Sequence, residues 1–188
     1  MSYQLSFVRP TEELGVGQIK EYIERAVNAG MKRATKTGAV PDTDTAKIRE
    51  ADIVADFGSG VGGWLTMPLA ALGIQYSCLC TAVPAAITPQ LANNRVAVFY
   101  KVGVETAGFP VALLQFREGV TAGTTLAVFD LEGLATKLMP EGYFTEPIIY
   151  DPQKILNIVV TCRIVTNLQA RVRLGCFIFE PGGAVISY

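Results

Sequence analysis

The chain has 188 residues and a mass of 20.2 kDa, a length that suits one domain with an appended segment and disfavours a two-domain enzyme. Half of it is hydrophobic (50%) and only 18% is charged, against roughly 25% in ordinary globular domains, so disorder is excluded and much surface has to be covered. A net charge of -1 gives no electrostatic footprint for nucleic acid, and the absence of histidine removes Ser-His-Asp and Cys-His catalysis, histidine-ligated zinc and histidine acid–base chemistry.

Charge is concentrated at the start, where residues 1–52 hold eight basic and eight acidic groups. The N-terminus has no basic stretch followed by an apolar run and a small-residue cleavage site, so synthesis in a cytoplasm without a signal peptide is expected. Tyr3, Leu5 and Phe7 alternate with polar residues up to Pro10, which predicts a strand-like arm. A helix is then predicted from Thr11, with Thr11 as cap, Glu12 and Glu13 at its positive end, and Lys32, Arg33 and Lys36 before a stop at Gly38. Ile19, Tyr22, Ile23, Ala26, Val27, Gly30, Met31 and Ala34 recur at three- and four-residue steps and form one apolar stripe, while Glu21 and Arg25 pair on the wet side. Such a stripe enters either the chain's own core or a neighbour's.

After a turn at Pro41-Asp42, a short polar helix is expected through about Arg49. From Phe57 to Asn94 there is no charged residue. Pro68, Gly73, Gln75, Ser77 and Thr81 interrupt this stretch, which favours buried strands over a membrane span. Candidate strands are Trp64–Leu69, Ile74–Val83, Arg95–Glu105, Val111–Arg117, Thr125–Asp130, Pro147–Tyr150, Ile155–Val165 and Arg171–Glu180, all rich in Val, Ile, Phe and Tyr and bounded by turn residues. One short helix, Leu131–Leu138, is predicted among them. Cys78, Cys80, Cys162 and Cys176 show no C-x-x-C spacing and read as packed thiols. The expected fold is mainly β: an antiparallel sandwich of jelly-roll type, residues 58–188, behind an N-terminal arm and amphipathic helix, residues 1–57.

The sharpest local motif is Ile53-Val54-Ala55-Asp56-Phe57-Gly58-Ser59-Gly60-Val61-Gly62, which resembles the first motif of class I S-adenosylmethionine methyltransferases. That resemblance implies cofactor binding by Asp56, Gly58, Gly60 and Gly62, because glycines after a strand let backbone approach a nucleotide-like ligand. The acid that should close the next strand is missing: Leu79, Cys80 and Thr81 stand there. A glycine hinge is the alternative reading. Carboxylate pairs for glycoside hydrolysis would have to come from Glu118, Asp130, Glu141, Glu146 and Asp151, mostly turn positions. A carbohydrate-binding or adhesive sandwich would use exposed aromatics such as Tyr143, Phe144 or Tyr150.

The β stretches NNRVAVFYKVGVE, VALLQFREGVTAGTTLAVFDLEGL and GYFTEPIIYDPQKILNIVVTCRIV resemble, in strand rhythm and composition over residues 64 to 180, the jelly-roll structural proteins of viruses, phage capsid and capsid-decorating proteins in particular. The resemblance implies a subunit that builds a shell or cements one, with a sandwich body and a terminal arm reaching to neighbours. A non-enzymatic role without cofactor or metal, assembled with copies of itself and other virion subunits, is the expectation, and the charge and interrupted apolar stretch speak against nucleic acid and membrane as partners. Tyr3, Leu5, Phe7, Ile19, Tyr22, Ile23, Val27 and Met31 are then the candidate subunit contacts, and the methyltransferase and the adhesive module are the alternatives.

Overall fold

The computed structural model describes residues 4–41, 46–52, 65–68, 75–77, 90–104, 111–119, 123–162 and 169–182. Its elements are β1 (Gln4–Ser6), β2 (Val8–Pro10), α1 (Val16–Thr37), β3 (Ala46–Asp52), β4 (Leu65–Pro68), β5 (Gln75–Ser77), β6 (Val96–Val104), β7 (Val111–Glu118), β8 (Thr124–Asp130), β9 (Glu141–Tyr150), β10 (Leu156–Cys162) and β11 (Gln169–Pro181). They form two sheets, ordered β1-β8-β7-β10-β5 and β2-β9-β6-β11-β3, with β4 also paired to β11.

The connectivity is that of a long hairpin rolled up. Four nested antiparallel pairs, β3 with β11, β5 with β10, β6 with β9 and β7 with β8, are joined sideways by β6–β11 and β7–β10. Eight strands so paired in two facing sheets are a jelly roll. The expected mainly β sandwich is therefore what the chain folds into. The one parallel pairing among the described strands is β1 on β8.

Side chains alternate across each strand, and both faces of the second sheet are covered. Between the sheets lie Phe99, Val102, Leu114, Phe116, Phe129, Phe144, Tyr150, Leu156, Ile158, Leu174 and Ile178, all buried. Their rings stack and interlock, with centroids 4.2 Å apart for Phe129–Phe144 and 5.2 Å for Phe99–Phe116. On the opposite face, Val96, Val98, Tyr100, Tyr143, Phe177 and Phe179 form a second core beneath α1. Ala26, Gly30 and Ala34, four residues apart, are the buried line of the helix, and their small size lets its backbone approach the sheet. A Cβ on Gly30 would overlap the Phe179 ring.

Four local expectations are corrected. Thr11–Glu13 is a separate 3-10 turn, and α1 begins after Gly15, whose N–H donates to Gln18 Oε1 at 2.9 Å. The acids expected to serve the helix dipole bind elsewhere: Glu12 accepts the Met139 N–H at 2.7 Å and Glu13 pairs with Lys137 at 2.5 Å. The C-terminal stop is as read, with Gly38 left-handed at φ 72°. Second, residues 46–52 are a strand and not a polar helix, because seven backbone pairs with β11 override a weak local preference.

Third, the helix expected over Leu131–Leu138 shrinks to a 3-10 turn, Glu132–Leu134, in which Asp130 Oδ1 caps the Glu132 N–H at 2.8 Å. Leu131 and Leu134 are buried and Leu138 is not, so only one turn has apolar anchors. Fourth, β9 starts six residues before the expected Pro147. Its register against β6 jumps from Tyr143 to Ile148 across Tyr100, and Pro147 sits in that irregularity, where a missing N–H does no harm. Strands β1, β2 and β3 belong to the same two sheets as the later strands.

The Gly30 contact sets two glycines of α1 against each other. Gly30→Ala should destabilise the protein by about 1–3 kcal/mol through overlap with Phe179. Gly17→Ala, with nothing within 4 Å of the new methyl, should stabilise it by about 0.5 kcal/mol. Urea midpoints measure both, and shifts of the same sign would contradict the packing.

Candidate assembly surfaces

Residues 53–64 lie outside the described residues, and with them Asp56, Gly58, Gly60 and Gly62. The fold nevertheless corrects the reading attached to them. A class I methyltransferase needs parallel strands alternating with helices, whereas the described strands other than β1 pair antiparallel in two rolled sheets. The aromatics offered for a carbohydrate site are likewise corrected: Tyr143, Phe144 and Tyr150 are buried, at 6%, 1% and 1% exposure. Tyr150 donates its hydroxyl to the Arg117 carbonyl at 2.9 Å, and burial pushes its ionisation far above the usual phenol range.

The carboxylates have structural partners. Glu118 pairs with Lys154, Glu141 with Lys101 at 2.8 Å, and Glu180 with Arg95 at 2.9 Å. Asp151 accepts two bonds from the guanidinium of Arg33, to Oδ1 at 2.6 Å and to Oδ2, so the helix is clamped to the β9–β10 corner. That fork holds the Asp151 carboxyl below its ordinary range, helped by Lys154 and Lys36 and opposed by burial, and raises Arg33 in turn. At the same corner Gln153 takes φ 63°, its N–H donates to the Leu91 carbonyl at 3.1 Å, and Asn157 Nδ2 donates to the Gly119 carbonyl at 2.9 Å. Among the described residues no group of three His, Cys, Asp or Glu gathers as a metal site. No described helix is long and apolar enough to cross a membrane. Cys176 is a buried free thiol, and the other three cysteine side chains are outside the described residues.

Of the residues read as subunit contacts, Ile19, Tyr22, Ile23, Val27 and Met31 lie partly buried against the chain's own sheet. Tyr22 stacks on Tyr143 at 6.0 Å with the Arg25 guanidinium 5.6 Å above its ring. Tyr3 is outside the described residues, and Leu5 is described only in its backbone pairing with Val128. Phe7 is 64% exposed. It lies between β1, on the rim of one sheet, and β2, on the rim of the other, so the arm spans the same side of both sheets. The Phe7 N–H donates to Thr145 Oγ1 at 3.3 Å, and its carbonyl accepts the Thr145 N–H at 3.0 Å.

A further surface went unrecognised in the sequence. Leu138 is 96% exposed and Met139 58%, at the tip of the loop that Glu12 and Glu13 hold to the body. Leu138 and Met139 also line a cleft of about 230 Å³ with Val104, Glu141 and Arg173. Two large apolar residues next to Pro140, one step beyond the last buried anchor, were the available signal. Val16, at the start of α1, is 86% exposed. Contiguous exposed apolar patches mark interaction surfaces, and holding such a patch in place lowers the ordering cost of binding.

The chain matches no protein-family profile, and comparison with curated proteins gives no significant match. Among solved structures it is similar to the crystal structure of the infectious bursal disease virus VP2 subviral particle, with a TM-score of 0.41 and 10% identity over 76% of this chain and 35% of that one. A structure of the infectious bursal disease virus Gx strain gives a TM-score of 0.38 and 11% identity over 74% of this chain and 34% of that one. The chain thus spans about a third of the length of either.

The Arg33–Asp151 clamp has a defined pH signature. A carboxyl whose folded value is depressed stabilises the fold above its unfolded value, near 3.9, and loses that contribution as pH falls through the folded value. Asp151→Asn should therefore cost about 1 kcal/mol at pH 7, since the Arg33 side chain is 39% exposed and screened. Urea melts from pH 7 to pH 2 should show the gap between the two proteins steady to about pH 4 and closing below it. A gap independent of pH would contradict the clamp.

Proposed function

We propose that this chain is a non-enzymatic structural subunit of a homo-oligomeric assembly, a phage virion protein of the shell or its decoration layer, made in the host cytoplasm and resident in the virion. The observation that carries this reading is the nested eight-strand pairing. Jelly rolls of this kind serve as viral shell, lectin and cupin domains. A cupin's usual histidine ligands are lacking in a sequence without histidine, and Tyr143, Phe144 and Tyr150, the aromatics named for a lectin-like site, are buried. Shell building asks for neither.

The mechanism is burial of apolar surface between copies, at about 25 cal/mol per Å² removed from water. Phe7, Val16, Leu138 and Met139 supply exposed apolar contacts. The Met1–Thr37 segment retains its proposed contact role through its arm, together with whatever parts of Ile19, Tyr22, Ile23, Val27 and Met31 the sheet leaves open. Closed symmetry then limits growth, and Lys47 on the outer strand β3, 59% exposed in its side chain, discourages open-ended strand pairing.

Light scattering and negative-stain microscopy of the purified full-length chain test this. Rings, shells or a defined oligomer at micromolar concentration are expected, and Leu138→Asp with Met139→Asp should weaken assembly at least ten-fold. A monodisperse species of 20.2 kDa at tens of micromolar would overturn self-assembly.

A further inference from the structure

We infer that the cleft beside Leu138 and Met139 binds a small aromatic carboxylate. Its floor is a row across three strands, Arg173 on β11, Gly103 on β6 and Glu141 on β9, in which Gly103 pairs with both neighbours. The opening in that row is the missing side chain. A Cβ on Gly103 would meet first Glu141 Cγ and Oε2, at 3.8 Å, an ordinary contact, so two long side chains flank an empty floor. Glu141 lies two residues before Tyr143 and shares its face, which sets the row on the helix-bearing side of the sheet, outside the sandwich core. The inference goes beyond the self-assembly reading and does not depend on it.

The wall of the cleft is in place before any ligand arrives. The Val104 N–H donates to the Pro140 carbonyl at 2.9 Å, the Glu141 N–H donates to the Met139 carbonyl at 2.7 Å, and Glu12 and Glu13 hold the Met139 N–H and Lys137. A fixed wall spares the ligand the cost of ordering its site. The volume, about 230 Å³, lies below the roughly 300–1,000 Å³ of sites for drug-sized molecules, which selects a single ring on a short chain.

The lining sets the ligand's chemistry. Leu138 and Met139 present exposed apolar surface, and a thioether makes favourable contact with an aromatic ring. Among the described lining residues only Glu141 and Arg173 are charged. Glu141 is engaged by Lys101 at 2.8 Å, and that ammonium is itself held 5.8 Å from the centre of the Tyr143 ring. The acid of the cleft is thus neutralised from within the protein. The exposed Arg173 guanidinium has five donors in a planar fork and takes a carboxylate alongside the partners it already has. Charge complementarity therefore favours an anion over a neutral or cationic ligand of the same shape.

Nuclear magnetic resonance of the full-length chain, isotope-labelled at its methionine methyl groups, tests this in monomer and assembly alike, with the Met139 signal identified by its loss in Met139→Leu. Phenylpropionate should shift that signal saturably at millimolar concentration or below and leave Met31, beneath the helix, in place. Phenylpropanamide should bind about five-fold more weakly, and phenylpropylamine more weakly still. Gly103→Leu, which fills the floor, should abolish the shift, and Arg173→Gln should erase the preference for the carboxylate, with circular dichroism confirming the fold of each. If Gly103→Leu does not fold, Arg173→Gln decides. No saturable Met139 shift at tens of millimolar, equal binding of the three compounds, undiminished binding by folded Gly103→Leu, or a preference kept by Arg173→Gln would each overturn the inference. None of these results bears on whether the chain assembles, so failure here and failure of the assembly reading stay distinct.

Discussion

The structure depends on two strands that are buried on both faces. In β6 every residue but Lys101 and Gly103 is buried, and β11 carries Leu174, Cys176 and Ile178 toward one side and Phe177 and Phe179 toward the other. A sheet that faced water on its outer side would carry polar residues there. Here Val96, Val98, Tyr100, Phe177 and Phe179 occupy it, so a helix has to cover them. That requirement sets the small-residue line of α1, the Gly30 approach to Phe179 and the Arg33–Asp151 clamp at the helix's end. The N-terminal helix is thus part of the body. Full burial of side chains of this size contributes about 1.5–3 kcal/mol each, and removal of the helix would forfeit several such terms at once.

How much of this was legible in the sequence follows from the same physics. Strands buried on both faces read as apolar runs, which is why the stretches around Arg95–Glu105 and Arg171–Glu180 stood out and are strands β6 and β11. The helix stripe and its Gly38 stop were equally plain. Whose core the stripe entered was not, because Ile19, Tyr22 and Val27 have the same pattern whether they meet their own sheet or a neighbour's. Strand β3 was missed because Ala46–Asp52 is polar and takes its conformation from β11. The nested pairing was also hidden, since partners such as β3 and β11 are brought together by topology and not by local spacing. At Leu138-Met139 the sequence offered two apolar residues at the end of an expected helix and no reason for their exposure. The reason is tertiary, in the acids at Glu12 and Glu13 that hold the tip.

Electrostatics in this protein serves placement. Described ion pairs tie elements distant in sequence, Arg33 to Asp151, Lys137 to Glu13, Lys154 to Glu118 and Arg95 to Glu180, and each lies at a corner where backbone turns. With so few charges in the chain, their use as corner pins leaves the apolar side chains Phe7, Val16, Ile48, Leu138 and Met139 as conspicuous outward features among the described residues. A roll with pinned corners, a covered outer sheet and two short strands, β1 and β2, on its rims is suited to holding its shape.

The central claim is that α1 and the two sheets form one cooperative unit around β6 and β11. Native-state hydrogen exchange tests it most directly, because it ranks the opening of each element within the intact chain. The account predicts that amides of β6, β11 and the Ala26–Ala34 stretch of α1 exchange together, at the free energy of global unfolding, while β1 and β2 open earlier. Exchange of α1 well before β6 and β11 would show the helix to be a detachable arm and would contradict the account.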